Sequence, residues 1–155
     1  MDPELLQLLE ALDGVAQSPK YHPEGDALFH SLQAFDLARR ATADVEMWAA
    51  ALFHDVGKSM KDSGSHDEVG ADLLEGLVSD RVVWLVRHHL DLMRDPRATR
   101  KRLHGTKELR DLEALRRWDV GGRRKDARVL EPGEAFAILE TFSTGHPAPE
   151  RNDRR

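Results

Sequence analysis

The segment ADVEMWAAALFHDV, at residues 43–56 and followed by Gly57 and Lys58, decides the fold. Apolar side chains occupy nearly every side of a helix drawn through it, which predicts a helix at the centre of the protein. His54 and Asp55 stand near the end of this helix, where apolar residues are expected. A buried, ionised carboxylate costs several kcal/mol unless it is paired or binds a metal. The segment therefore predicts a central helix that ends in a polar site.

Helical spacing of apolar residues continues on both sides of this segment. It predicts six further helices, at about residues 3–14, 28–37, 65–74, 79–89, 106–119 and 132–143. Ser65 and Glu68 have the spacing of a capping box, and Ser79 is expected to cap the helix that follows it. Residues 93–105 have no clear pattern and fit a loop with a short helix, and no segment alternates as a strand does. We predict an all-α bundle of six or seven helices in one domain, residues 1–143, with a disordered tail at 144–155.

Composition narrows the class of protein. The chain has no cysteine, which excludes disulfides and thiolate metal sites, and no apolar run of the roughly 20 residues that cross a bilayer. Its N-terminus is acidic and amphipathic, unlike a secretory signal, so we expect a cytoplasmic location. The net charge is −5, yet residues 94–128 hold thirteen Lys or Arg and six Asp or Glu. This segment either attracts an anionic substrate or is a solvated helical face. Nucleic acid is supported by charge alone, because Trp118 is the only aromatic residue there.

Other polar residues fall on apolar helical faces. His30 lies within two residues of Leu28 and Leu32, and His89 continues a stripe of Val and Leu. Asp119 follows two leucines at helical spacing, but Asp111 has spacing just as good, so periodicity does not choose between them. Each histidine taken alone also fits a hydrogen-bonded core residue. Imidazole and carboxylate ligands without thiolate suit Mn, Fe, Ni, Co, Mg or Zn.

Several separated motifs together resemble a known family. The stretch ALFHDVGK at residues 51–58 resembles the H-D-x-G-K signature of the HD superfamily of metal-dependent phosphohydrolases. The segment YHPEGDALFHSLQAFDLA at 21–38 is similar to the start of the HD domain in bacterial tRNA nucleotidyltransferases, where H-P-E-x-D precedes the first metal-binding histidine. With HDEVGADLL at 66–74 and VRHH at 86–89, the resemblance covers roughly residues 20–122.

The resemblance implies an HD-domain helical bundle with a site for one or two divalent metal ions between its central helices. It assigns the first ion to His30, His54, Asp55 and Asp119. It assigns a second ion to further histidines, which here are His66, His88 and His89. Asp55, whose carboxylate has two oxygens, is suited to bridge both ions. Because Asp55 has no partner evident in the sequence, we also expect Asp55→Ala to stabilise the metal-free protein.

The function implied is hydrolysis of a phosphomonoester or phosphodiester, with a nucleotide or another small phosphate ester as the anionic substrate. Lys58 lies four residues after His54, and in some family members the matching lysine contacts the substrate phosphate. We expect Asp55 and Lys58 to be catalytic. Tyr21, His22 and Glu24 precede His30 and either bind substrate with Lys58 or are ordinary residues of a loop before a helix.

Two other functions fit the same motifs. Some HD proteins hold a diiron pair and oxidise a carbon–hydrogen bond with O2, and a tyrosine and a glutamate before the first histidine, as at Tyr21 and Glu24, also occur in that branch. The third reading is a non-catalytic helical module that binds a nucleotide. Phosphate release, O2 uptake and nucleotide binding without turnover distinguish the three.

Overall fold

The computed structural model describes residues 1–60 and 64–143, which form nine α-helices and one 3-10 turn. The helices are α1 Glu4–Glu10, α2 Ala27–Ala41, α3 Val45–Phe53, α4 His66–Leu74, α5 Asp80–His88, α6 Asp91–Arg94, α7 Pro96–Arg102, α8 Lys107–Gly121 and α9 Pro132–Ser143, with the 3-10 turn at Val56–Ser59. Within these residues there is no strand, only an isolated bridge between Ala16 and Asp26. The predicted all-α fold is confirmed. The predicted tail at 144–155 lies outside the described residues.

All seven helices expected from the apolar spacing are present: α1 to α5, α8 and α9. The segment 93–105, which the sequence left open, contains α7 and the end of α6. Pro96 starts α7 at a position where its missing N–H costs nothing, and the Asp95 side chain caps that helix. Helix α6 packs against α7 and α8, so these two short helices connect α5 to α8.

Helix α3 is the centre of the bundle, as its composition predicted. Every residue from Met47 to Phe53 is buried, and α2, α5, α8 and α9 all pack against it. Asp44 caps its first turn by accepting from the backbone N–H groups of Glu46 and Met47. The helix ends at Phe53, earlier than the predicted residue 56, because the chain turns into the 3-10 segment after Asp55. This early end leaves His54 and Asp55 at the tip of a buried helix.

The capping predictions had mixed outcomes. Ser79 caps α5 as expected, accepting from the Val82 N–H at 3.3 Å. The capping box at Ser65 is wrong: α4 begins after Ser65, but the Ser65 side chain makes no cap. Its hydroxyl instead bonds Asp67 and accepts from Arg94, and Glu68 pairs with Arg87. Charged partners compete better for these side chains than the backbone N–H does.

None of the helices in the described ranges has the length and apolar character needed to span a bilayer.

Candidate metal centre

Four buried side chains from three parts of the fold meet at the tip of α3. His30 comes from α2, His54 and Asp55 follow α3, and Asp119 comes from α8. The His30 Nε2 atom lies 3.0 Å from Asp119 Oδ1 and 3.5 Å from Asp55 Oδ2. The two Nε2 atoms of His30 and His54 are 3.2 Å apart, and His54 Nε2 is 3.3 Å from Asp55 Oδ2. Nitrogen and carboxylate donors thus converge on one small volume.

Asp55 also faces a second pair of histidines with its other oxygen. Asp55 Oδ1 lies 3.3 Å from His66 Nε2 and 3.5 Å from His89 Nε2. The donor atoms of these three residues lie within 4.8 Å of one another, as do those of His30, His54 and Asp55. The two groups share Asp55, so one carboxylate presents an oxygen to each side.

Backbone carbonyls fix the ring orientation of three of these histidines. His30 Nδ1 donates to the Gly122 carbonyl at 2.8 Å, His54 Nδ1 to Ala51 at 2.7 Å, and His89 Nδ1 to Val86 at 2.6 Å. With Nδ1 engaged in this way, each ring directs Nε2 at the cluster. Ligating histidines are typically oriented by such a bond from the other ring nitrogen.

His66 reaches Asp55 because α4 packs directly on the 3-10 turn through Gly57. A Cβ atom at Gly57 would lie 2.0 Å from the His66 carbonyl oxygen and 2.7 Å from the Gly70 amide nitrogen. Any side chain there would push the first turn of α4 away. The glycine of the H-D-x-G-K motif is therefore required by the close approach of two backbones.

Asp55 and Asp119 strongly perturb the titration of His54. Burial alone lowers the pKa of His54, but the Asp55 and Asp119 carboxylates outweigh it and raise that pKa to about 10. Burial acts to raise the pKa values of both carboxyls, yet contacts with the histidines, joined at Asp55 by Lys58, hold them well below the usual range. The raised pKa favours a protonated His54, whose Nε2 atom lies 3.3 Å from Asp55 Oδ2 and 3.6 Å from Asp119 Oδ1.

The donor set fits a divalent cation. Asp55 Oδ2 and His89 Nε2 are buried and accept or donate no hydrogen bond among the described residues, although Lys58 Nζ lies 2.9 Å from that oxygen. Buried polar atoms without such a partner are costly, and a cation in each donor group would give each of these two atoms a partner. Imidazole and carboxylate donors without thiolate suit the same metals that the sequence indicated. His30, His54, Asp55 and Asp119 would hold one ion, and Asp55, His66 and His89 could hold another.

We expect metal binding to release a proton from His54. Because the pKa of His54 is about 10, its ring is protonated at pH 7.5, and a ligand must be neutral. The bound state carries fewer protons, so affinity should rise with pH, by about tenfold per unit between pH 7 and 9. Calorimetric Mn²⁺ titrations in two buffers of different ionisation enthalpy should show release of about one proton per chain. His104→Ala, at an exposed site, is the matched control. Heats independent of the buffer would contradict this assignment.

The structure does not bring His88 to the cluster. Its Nδ1 atom lies 2.8 Å from Asp91 Oδ2, its ring packs on Trp84 at 4.5 Å between centroids, and its side chain is 31% exposed. Adjacent residues on a helix project about 100° apart, so His88 and His89 face different directions. We leave His88 out of the metal-binding set.

The structure also separates the two aspartates that the sequence could not. Asp111 binds the guanidinium of Arg81, at 2.8 and 3.1 Å, away from the cluster. Asp119 is buried and its Oδ1 lies against His30. Of the two, only Asp119 is placed to bind the ion.

The remaining expected site residues lie beside the cluster. Lys58 is three residues after Asp55 and pairs with it, because the helix ends before the turn that would have aligned Lys58 with His54. Glu24 is buried and its Oε1 lies 2.7 Å from His22 Nδ1 and 3.3 Å from His30 Nδ1. Tyr21 is 59% exposed at the rim.

Ligand atoms of His22, Glu24 and His30 also lie within 4.8 Å of one another, close enough to bind one metal ion. However, the His30 Nδ1 atom donates its N–H to Gly122, and a protonated nitrogen has no lone pair for a metal. Glu24 therefore lies outside the cluster, where it hydrogen-bonds His22 and contacts His30.

Sequence reasoning missed three residues around the site. Arg116 Nη1 lies 3.5 Å from Asp119 Oδ2, and Arg123 Nη2 lies 3.4 Å from Asp119 Oδ1. Arg123 also donates to the Tyr21 carbonyl at 3.1 Å, which joins α8 to the loop before α2. Their spacing of three and four residues from Asp119 was the available signal. Gln17, in the same loop, contacts Lys58 and had no signal in the sequence.

Most of this chain is similar to known proteins. A family model described as "HD domain" matches residues 28–121. A "Multifunctional CCA protein" of Halorhodospira halophila is 34% identical over 143 residues, which cover 88% of this chain and 29% of that protein. A protein of the same name from Hahella chejuensis is 41% identical over 75 residues, which cover 44% of this chain and 18% of that protein. Another, from Methylococcus capsulatus, is 48% identical over 52 residues, which cover 34% of this chain and 12% of that protein. The chain thus spans less than a third of the length of these relatives.

Proposed function

This chain belongs to the HD domain family, and from that premise we propose that it is a metal-dependent phosphohydrolase acting on a nucleotide or another small phosphate ester. One observation carries the proposal: two groups of metal donors share Asp55, and a lysine amine lies 2.9 Å from that carboxylate. The Lys58 ammonium therefore lies next to the metal donors, where it could pair with the negative charge of a bound phosphate. A cytoplasmic location is part of the same proposal.

The chain's own residues have separate tasks in this function. A bound divalent ion lowers the pKa of water and polarises a phosphoryl oxygen. His30, His54, Asp55 and Asp119 fix its place, and His66 and His89 offer donors on the other side of Asp55. Lys58 offsets negative charge that develops on the phosphate. Burial keeps the metal donor atoms of every one of these residues except His66 away from bulk water, which strengthens the charge interactions at the site.

The substrate class rests on two further observations. The name of the relatives, multifunctional CCA protein, favours a nucleotide or the end of a nucleic acid. Within the described part of segment 94–128, seven basic side chains make no ion pair: Arg97, Lys101, Lys107, Arg110, Arg117, Lys125 and Arg128. Unpaired cations attract polyanions as well as single phosphates. We therefore propose a nucleotide phosphate as substrate, either free or at a nucleic-acid end.

A substrate screen with parallel O2 measurement tests the function. Protein loaded with Mn²⁺, Ni²⁺, Co²⁺, Fe²⁺ or Mg²⁺ is given nucleoside monophosphates, cyclic nucleotides and an oligonucleotide with a terminal phosphate. We expect hydrolysis of at least one ester with at least one metal, and no O2 uptake. Consumption of O2 by the iron-loaded protein without hydrolysis would favour the oxygenase alternative, and tight nucleotide binding without either reaction would favour the binding module.

A further inference from the structure

The side chain of Gln17 connects Lys58 to the loop before α2. Lys58 Nζ donates to Gln17 Oε1, and Gln17 Nε2 donates to Glu24 Oε1 at 3.3 Å. Glu24 Oε1 is also 2.7 Å from His22 Nδ1, and Lys58 Nζ is 2.9 Å from Asp55 Oδ2. These contacts form one continuous chain, from the substrate-side loop to the carboxylate shared by both donor groups.

The chemistry of the two neighbours sets the orientation of the Gln17 amide. A lysine ammonium has donors only, so the amide oxygen must face Lys58. The Glu24 Oε1 atom accepts hydrogen bonds, so the amide nitrogen faces Glu24. An amide can serve both neighbours at once, whereas a carboxylate in its place could not donate to Glu24. The contacts are therefore those of a residue with a defined role between Lys58 and Glu24.

The backbone around Gln17 is itself held in place. The Gln17 N–H donates to the Gly25 carbonyl at 2.9 Å, and the Ala27 N–H donates to the Val15 carbonyl at 3.0 Å. These bonds join the two ends of the loop in a short antiparallel pairing that leads directly into α2. A fixed backbone gives the Gln17 side chain a fixed origin from which to reach Lys58.

We propose that Gln17 is a positioning residue that holds the Lys58 ammonium beside the metal donors, ready for a phosphate oxygen. The proposal rests on the function proposed above, in which Lys58 binds the substrate phosphate. Asp55 is the other anchor of Lys58, and its negative charge is shared when it serves as a metal ligand. Gln17 is then the remaining partner that restrains the Lys58 side chain, which has four rotatable bonds. Gln17 acts through Lys58 and does not touch the reacting atoms.

The test is a double-mutant cycle that uses inorganic phosphate as the probe. Phosphate affinity of the Mn²⁺-loaded protein is measured calorimetrically for wild type, Gln17→Met, Lys58→Met and the double variant, together with Mn²⁺ affinity, melting temperature and kcat/KM. Methionine matches glutamine in length but has no amide. We expect Gln17→Met to weaken phosphate binding about tenfold, as for loss of one bond to a charged group, with Mn²⁺ affinity unchanged. In the Lys58→Met background, the same change should have no effect.

Gln7→Met, on the exposed face of α1, is the matched control and should equal wild type. If Gln17→Met does not fold, Gln17→Leu replaces it in the cycle. Equal losses with and without Lys58 would overturn the proposal, as would wild-type phosphate affinity in Gln17→Met. Coupling in phosphate binding, in a protein that hydrolyses no ester, would refute the proposed function and leave the role of Gln17 intact. A loaded wild type that binds no phosphate would overturn both.

Discussion

Asp55→Ala is expected to abolish hydrolysis, with turnover at least about 10⁴-fold below wild type, as for loss of a residue on which a whole catalytic group depends. Among the residues that the structure describes, Asp55 alone belongs to both donor groups, and its two oxygens contact His54 on one side and His66 on the other. Without it, the first group keeps three of its four donors, His30, His54 and Asp119, and the second keeps only His66 and His89. Metal affinity should therefore fall by more than about 100-fold, the upper range for losing an outer partner of a ligand.

The same substitution should destabilise the metal-free protein, contrary to the expectation from sequence. Asp55 has cationic partners in the structure, because Lys58 and the His54 imidazolium both lie within 3.3 Å of it. Removing one member of a buried ion pair typically costs about 3–5 kcal/mol, since the other charge is left unpaired. The premise of the earlier expectation, a buried carboxylate without a partner, is wrong, because the sequence does not show which cations surround Asp55.

Metal content, melting temperature and turnover should be measured on purified Asp55→Ala. Asp13→Ala, which changes an exposed aspartate at the end of the first helical segment, is the matched control and should keep all three. An Asp55→Ala protein with full metal occupancy and wild-type turnover would refute the shared role of this carboxylate.

Lys58→Ala should lower kcat/KM by about 10²–10³, or roughly 3–4 kcal/mol, the usual effect of losing one electrostatic contact to the transition state. The Lys58 amine pairs with Asp55 but is not a donor to the metal, since a protonated amine has no free lone pair. Metal content should therefore stay near wild type. Loss of kcat/KM without loss of metal is therefore expected for Lys58→Ala, whereas Asp55→Ala should lose both.

The assay for Lys58→Ala should use a small phosphate ester, so that the basic surface of residues 94–128 does not contribute. Lys101→Ala, which removes an exposed lysine of that surface, serves as the control and should leave small-ester hydrolysis unchanged. Loss of metal in parallel with loss of activity in Lys58→Ala would show that Lys58 is part of the metal site after all.

The fold was predictable because apolar spacing and caps are local signals. The segment ending at His54-Asp55 identified the buried central helix, and α3 is indeed buried from Met47 to Phe53. The two short helices α6 and α7 were only partly predictable, since α6 has four residues and the seven arginine-rich residues of α7 have no apolar stripe. The early end of α3 also escaped prediction, because a 3-10 turn and a last helical turn have the same sequence pattern there.

The candidate site was predictable where a motif fixes the order of the residues. It was not predictable where two similar residues compete and the direction of their side chains decides which one faces the cluster. His88 and His89 are neighbours in the chain, but only His89 faces Asp55. Spacing treats Asp111 and Asp119 alike, and the pairing of Asp111 with Arg81 decides between them. Gln17 contacts Lys58, which lies 41 residues further along the chain, and a loop sequence has no pattern that predicts a contact at that separation.

The most direct test of the central claim is a metal titration of phosphate release. Protein stripped with a chelator is titrated with Mn²⁺ while hydrolysis of the best ester from the screen is followed. We predict no release without metal, and release that rises with bound Mn²⁺ and saturates when the donor groups around Asp55 are filled. Release at the full rate by the stripped protein, or none by the fully loaded protein with any ester, would contradict the assignment of this chain as a metal-dependent phosphohydrolase.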